Sequence, residues 1–565
     1  MKKIIFLVAL LLITVSNKTM ALEIRHPVEV ASKKFIDKYV KITKPIRIEW
    51  FDAYWKATTT GKKEWYKKYE QKELENDKIF SDKFAFAEIK DLKDSYPKYM
   101  KKYPEYDPEI TRQLDLLYLD FLENQIDQKL NEKMVKRATA LEEKFNTFRA
   151  KMDGKEVSDN KLKDILRKSS RIDERQKAWE ASKQVGTSVA NDLKELVKIR
   201  NKAAKSLGFK NYYIMMLELQ ELNEKDLFKL LDDLAKDTNK PFKELKDEID
   251  TAIAKKFKIN KKDLRPWHYE DPFFQEAPQV YNASLDKYFK DKDILRIAKK
   301  QYGYIGMPVD DILKRSDLYE RKGKSQHAYC LDVDAYGDIR ILANIKNDEQ
   351  WMSTMLHELG HAVYDKYFGK DVPYFLRDSA HIFVTEGIAE LFGAFTTSSD
   401  WLARYVDPSK KKEFESLFKD LRSVTRAQRL IFARWVEVMA HFERELYLNP
   451  DQDLNDLWWK MVEKYQFIKK PAGRNNPDWA AKIHLSSSPV YYHNYQLGEI
   501  LASQLINYIE KNIGPFDKAR TQKAFGNYLK DKIFKLGSIY KWNDLIEHAT
   551  GEKLTAKYFA KAYFK

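Results

Sequence analysis

Residues 357 to 361 read His-Glu-Leu-Gly-His, and on a helix two histidines four apart project from one face. That spacing lets both imidazoles bind one Zn²⁺, while Glu358, one residue round the helix, reaches a water at the metal without ligating it. The chemistry implied is hydrolysis by an activated water. A catalytic zinc takes three protein ligands and keeps a fourth position open, so a further ligand is required. Glu386 is the candidate: it follows His361 by 25 residues (386 minus 361) in Thr385-Glu386-Gly387-Ile388-Ala389-Glu390. Glu390, one turn on along the same face, suits a hydrogen bond from a ligating histidine. His381 is the rival third ligand, and His26, His268, His441, His493 and His548 are assigned to packing.

The pentad works only if a helix carries it. Asn347 is an N-cap candidate, with Gln350 three residues on as in a capping box. Met352, Met355, Leu356, Leu359 and Val363 recur at helical spacing, and Gly369 with Pro373 supplies a stop. Ile388, Leu391 and Phe392 predict a second, partly buried helix around Glu386. Just upstream of the pentad, residues 338–341 alternate polar and apolar after the turn-forming Gly337 and predict a strand. Its free edge is suited to pairing with an extended peptide backbone.

Elsewhere the pattern is helical, with long helices predicted over residues 111–150 and 171–206. Breaks fall near Gly154, Gly208 and Gly323 and over residues 264–278 and 470–489, none with the composition of an interdomain linker. Residues 22–565 therefore read as one mainly α unit. Cys330 is the only cysteine, which excludes an internal disulfide. The formal charge of +16 comes from lysines interleaved with acids, as over residues 194–205, without an aromatic RNA-binding motif. It speaks to solubility and steering, and nucleic acid is not expected as a partner. Met1-Lys2-Lys3, an apolar run over residues 4–15 and Thr19-Met20-Ala21 predict a signal peptide over 1–21, hence an exported, periplasmic or secreted protein. No later segment is apolar enough to insert stably in a membrane. Nothing in the sequence sets the oligomeric state.

The chain resembles the peptidyl-dipeptidase A family, typified by angiotensin-converting enzyme, within the zincins that also include the thimet-type oligopeptidases. Beside the pentad, the resemblance is carried by Trp179-Glu180, by Leu196-Val197-Lys198-Ile199-Arg200-Asn201 to Gly208, by His327-Ala328 with residues 338–340, and by Lys482-Ile483-His484-Leu485 with Tyr492-His493-Asn494-Tyr495. It runs in patches from about residue 171 to 495. It implies a large multi-helix zincin fold with a deep central cleft and a small β element beside the zinc helix.

It also implies roles. Glu386 matches the third zinc ligand, although one residue further from the pentad than in the family. His484 and Tyr495 match the pair that stabilises the tetrahedral intermediate, and His327 and Ala328 the residues that hold the substrate backbone. Lys482 and Tyr492 match groups that bind a peptide's C-terminal carboxylate, with Tyr491 a competitor for Tyr492 because one extra residue follows His484. Asn494 stands where the animal enzymes carry a chloride-binding arginine, so chloride activation is not carried over. The implied activity is release of C-terminal dipeptides from peptides. The alternatives are a zinc oligoendopeptidase cutting internal bonds and a peptide-binding protein that keeps zinc without turnover.

Overall fold

A computed structural model describes residues 26–280, 285–325 and 327–563. The expected signal at 1–21 lies outside the described residues. Helices dominate, with two small antiparallel sheets, so the mainly α expectation holds. Among the described residues no helix is long and apolar enough to cross a membrane.

The first four helices, α1 (Pro27–Thr60), α2 (Lys63–Phe80), α3 (Lys83–Met100) and α4 (Pro108–Glu123), close over a cluster of their own that includes Phe35, Tyr39, Phe80, Ile89, Tyr96 and Phe121. The much larger second core runs from Leu141 to Ala549 in one contiguous set of contacts. The helix expected over 111–150 is two helices, α4 and α5 (Gln128–Thr147), because the Asp127 carboxylate caps a new start by accepting from the Leu130 amide at 3.1 Å. The stretch 171–206 divides likewise into α6 (Ile172–Ser182) and α7 (Gln184–Ser206) at Lys183. Apolar periodicity continues through both breaks, so it could not reveal them.

The pentad lies in α8 (Glu349–Lys366). Asp348, not Asn347, is its N-cap: the Asp348 carboxylate accepts from the Trp351 amide at 2.8 Å. Gly369 lies beyond the end of α8, and its amide donates to the Lys535 carbonyl at 3.1 Å. Glu386 lies in α9 (Ile382–Gly393), whose Phe383, Ile388, Leu391 and Phe392 are buried, each contributing roughly 1.5–3 kcal/mol. Two further helices complete the frame, α10 (Lys411–Leu448) and α11 (His493–Asn512).

One sheet, β1 (Ala150–Met152) with β2 (Lys155–Val157), lies far along the chain from the pentad. In the other, β3 (Tyr329–Asp332) pairs with β4 (Ile339–Leu342) in the register Tyr329↔Leu342 to Asp332↔Ile339. The strand expected near 338–341 is thus present, but its outer edge is not free. The Ile341 amide donates to Ser316 Oγ at 2.9 Å, and Asp317 donates to the Ile341 carbonyl at 2.9 Å. Among the described residues β3, which directly follows His327 and Ala328, is the strand of this sheet with no further strand beside it.

Gly360, inside the pentad, sets how closely α8 and α9 approach: a Cβ there would lie 3.0 Å from Ala389 Cα and 3.1 Å from the Phe392 ring. Gly360→Val therefore forces two core helices apart, and we expect a loss of about 1–3 kcal/mol, read as a lower midpoint in urea unfolding at unchanged secondary structure.

Candidate active site

The site is built where α8, α9 and α11 meet. Gly360 lets α9 lie against α8, and Gly387 does the same for α11, since a Cβ at 387 would stand 2.9 Å from the Gly498 carbonyl oxygen. The residue before Gly387 is Glu386, and the residue three before Gly498 is Tyr495. Close backbone contact thus brings the carboxylate of one helix to the histidines of another, with the Tyr495 phenol of the third near enough to Glu386 to feel its charge.

Nε2 of His357 and Nε2 of His361 face each other at 3.3 Å, and Glu386 Oε2 lies 3.6 Å from the first and 3.9 Å from the second. One ligand atom from each of the three residues falls within 4.8 Å of the others. His381, the rival ligand, is elsewhere. It caps α9, its Nδ1 accepting from the Phe383 amide at 3.2 Å, and packs on the Phe383 ring.

The donor set fits a divalent cation. His361 Nδ1 lies 2.6 Å from Thr385 Oγ1, which directs the Nδ1 proton outward and leaves the Nε2 lone pair facing the trio. Burial keeps both rings neutral: it lowers His357 and pushes His361 down to about 3. Two neutral imidazoles and a carboxylate converging on one point is an arrangement that a cation stabilises. Glu390 differs in detail from expectation. Its Oε1 is 3.9 Å from His357 Nδ1, too far for a hydrogen bond, and its Oε2 accepts from Arg429 Nη2 at 2.9 Å. Burial works against the Glu390 charge, but Arg429 and His357 hold its carboxyl below the usual range.

Glu358 points into the same space. Burial, with the nearby Glu386, raises it to about 8, and burial with Glu390 raises Glu386 to about 7. A 2+ charge among these groups would favour both carboxylates in their ionised form. His327 and Ala328 share with His357, Glu358 and Gln428 the lining of a cleft of about 600 Å³.

The C-terminal residues form a second group. Lys482 Nζ donates to Gln275 Oε1 at 2.8 Å, and the Tyr492 hydroxyl lies 3.5 Å from the same oxygen while accepting from Trp435 Nε1 at 2.8 Å. Tyr491 instead packs on Tyr495, with ring centres 5.3 Å apart, and both phenols are raised by burial and by the charge of Glu386. Tyr492 is therefore the tyrosine beside Lys482. The His484 ring lies 5.0 Å from that of Tyr492; burial lowers it to about 4, and among the described residues its Nδ1 has no hydrogen-bond partner. Asn494 is buried away from these groups, donating to Gln220 Oε1 at 2.9 Å.

Three participants escaped sequence reasoning. Thr385 and Arg429 carry no spacing signal, and Gln275 lies in the proline-bearing stretch 264–278, where periodicity says only that a helix is broken.

A model of peptidase family M3 matches residues 165–564, which include every residue named in this site. The chain belongs to peptidase family M3. A second model, described as angiotensin-converting enzyme, matches residues 27–268, so the likeness to that enzyme extends over the N-terminal helices as well. Among curated proteins the chain is similar to angiotensin-converting enzyme-like protein Ace3 of Mus musculus, at 21% identity over 310 residues, 52% of this chain and 42% of that protein. It is similar to the inactive angiotensin-converting enzyme-related protein of Caenorhabditis elegans, at 26% over 244 residues, 40% of this chain and 26% of that protein. It also matches thermostable carboxypeptidase 1 of Pyrococcus furiosus, at 28% over 114 residues, 20% of this chain and 22% of that one. The chain thus spans less than half the length of the curated relatives it matches. One of them is named as inactive, which makes the presence of Glu358 between the two histidines here a point of chemical weight.

The trio is expected to hold one divalent ion per chain. Elemental analysis of Glu386→Gln should show most of the metal gone, whereas Glu358→Gln should keep it, because Glu358 adds no ligand atom to the trio. Full metal in Glu386→Gln would remove Glu386 from the ligand set.

Proposed function

We propose that this protein is an exported zinc metallopeptidase that releases dipeptides from the C-termini of peptides. The observation that carries the reading is the joint presence of a His-His-Glu donor set beside Glu358 and of a lysine and a tyrosine sharing one amide oxygen. The first suits hydrolysis of an amide; the second suits a terminal carboxylate.

His357, His361 and Glu386 would hold the zinc. A zinc ion there supplies Lewis acidity, making water a nucleophile near neutral pH. Glu358 accepts the proton of the attacking water and passes it to the departing amine. Tyr495 donates a hydrogen bond to the developing oxyanion and His484 adds a second, each worth about 2.7–4 kcal/mol in comparable sites. The substrate backbone runs past His327 and Ala328 towards the edge of β3, which has no further strand beside it among the described residues. Lys482 supplies an ammonium to the substrate's carboxylate and Tyr492 a hydroxyl, which sets the register of the cut two residues from the end. Cys330 takes no part. Peptides are the only partners this chemistry requires.

A zinc oligoendopeptidase is the second reading, in which Lys482 anchors nothing and internal bonds are cut. Mass spectrometry of a decapeptide and its C-terminal amide after incubation separates the two. Dipeptides from the free acid only are expected; equal internal cleavage of both would sink the dipeptidase reading, and no cleavage of either would sink both.

Lys482→Ala should lower kcat/KM for free-acid peptides by about 10- to 150-fold, the worth of a charge-assisted contact of roughly 1.5–3 kcal/mol, and leave the poor turnover of amides nearly unchanged. Burial pulls the Lys482 ammonium down to about 8. A depressed lysine is charged below that value and neutral above it, so KM for free-acid peptides should rise as pH passes about 8, with no such rise in Lys482→Ala. A flat KM between pH 7 and pH 9.5 in the wild type would count against the anchor.

A further inference from the structure

The adjacent tyrosines 491 and 492 follow a strained residue. Val490 has φ +55°, in the left-handed region, and among the described residues it is the one β-branched residue with a positive φ. Pro489 followed by a left-handed residue is the pattern of a type II turn, whose third position ordinarily takes glycine or asparagine. A valine keeps that conformation only where its surroundings enforce it. Its side chain is 1% exposed, so packing holds it on one side.

Both backbone groups of Val490 are gripped as well. Its amide donates to Oε1 of Glu443, a buried residue of α10, at 2.9 Å, and its carbonyl accepts from Gln220 Nε2 at 3.0 Å. Gln220 follows the helix Tyr212–Leu219, and its Nε2 also donates to the Met216 carbonyl of that helix at 3.0 Å. Its Oε1 accepts from Asn494 Nδ2 at 2.9 Å, so one side chain holds the chain on both sides of Tyr491 and Tyr492. Upstream, buried Arg200 of α7 donates to the carbonyls of Leu485 at 3.1 Å and Ser486 at 2.7 Å, which fixes the short helix His484–Ser487. A buried backbone group that loses such a partner carries the full cost of its desolvation, so the clamp opposes any turn of Val490 out of the left-handed region.

Only Tyr491 and Tyr492 separate Val490 from His493, where α11 begins, so no slack absorbs a change of direction at Val490. That direction decides which phenol goes where. With Val490 left-handed, the Tyr492 ring lies 5.4 Å from Lys482 Nζ and its hydroxyl meets Trp435, while Tyr491 packs on Tyr495. An ordinary φ at Val490 would aim the next residues elsewhere, and two neighbours alike in chemistry would lose their assignment. We propose that Gln220 and Glu443 are positioning residues that, by holding Val490 left-handed, set Tyr492 rather than Tyr491 beside Lys482. The use of that placement, to hold a substrate's carboxylate, rests on the dipeptidase reading.

The test reads the place of Tyr492 and the binding of peptides separately. A single fluorotyrosine at position 492 is followed by fluorine NMR, and a labelled decapeptide, as free acid or C-terminal amide, is titrated by fluorescence anisotropy into the Glu358→Gln protein. Gln220→Ala and Glu443→Leu should each move the fluorine signal and weaken the free acid about tenfold, the scale of one buried hydrogen bond left unmade, with the amide little changed. Glu443→Gln keeps an acceptor within reach of the Val490 amide and should leave both measurements as in the parent protein. Val490→Gly discriminates, since glycine takes the left-handed turn unaided. Adding Gln220→Ala to Val490→Gly should leave the signal where Val490→Gly alone puts it and change free-acid binding by less than about twofold, a non-additivity that general damage to the fold cannot produce. An unmoved signal in both Gln220→Ala and Glu443→Leu would overturn the proposal, as would a tenfold loss that persists with glycine at 490. A signal that moves and is rescued as described, with free acid and amide bound alike throughout, would support the positioning and remove the carboxylate anchor instead.

Discussion

The contact on which this structure depends is that of α9 wedged between α8 and α11 with glycine at both interfaces. Helices normally pack 8–10 Å apart, a distance set by the side chains between them. Removing a side chain at Gly360 and at Gly387 lets backbone approach backbone, and the short side chain of Glu386 then reaches the same point as two histidines from the neighbouring helix. A side chain at either position would hold the helices further apart. The apolar faces of α9 supply the stability for this arrangement, since Phe383, Ile388 and Phe392 are fully buried.

Burial also makes the electrostatics. The trio is partly buried, and that desolvation keeps the histidines neutral and pushes Glu358 and Glu386 towards protonation. Glu390 escapes because Arg429 faces it, and Arg429 in turn reaches Glu499 on α11. One arginine from α10 thus ties the helix carrying the third donor to the helix carrying Tyr495. The buried carboxyls would be costly to ionise alone, and a dication is the partner that their placement suits.

The wall formed by α10 joins two things that lie far apart in sequence. Trp435 positions the Tyr492 hydroxyl, and Gln428 holds the loop that presents Gln275. The N-terminal helices approach from the other side, where Thr58 Oγ1 is 2.5 Å from the Tyr329 hydroxyl and Arg340 donates to Asp52 at 3.2 Å.

By itself the sequence determined what is local or periodic. His357 and His361 share a helical face because 3.6 residues make a turn, Glu358 must stand beside them, and the apolar repeat around Ile388 and Phe392 requires a buried helix. The mainly α class follows from the same periodicity. Cap positions and helix breaks were misplaced by one or more residues, since Asn347 and Asp348 are both good caps and only the backbone geometry chooses Asp348. Tertiary structure alone decided the rest. It set His381 to capping α9 and Glu386 to facing the histidines; it put Tyr492 rather than Tyr491 beside Lys482; it covered the edge of β4 and brought in Gln275 from an irregular loop. Each of these is a contact between residues from tens to hundreds of positions apart or a choice between adjacent equals, and neither leaves a period in the chain. Such contacts exist only once the helices have packed.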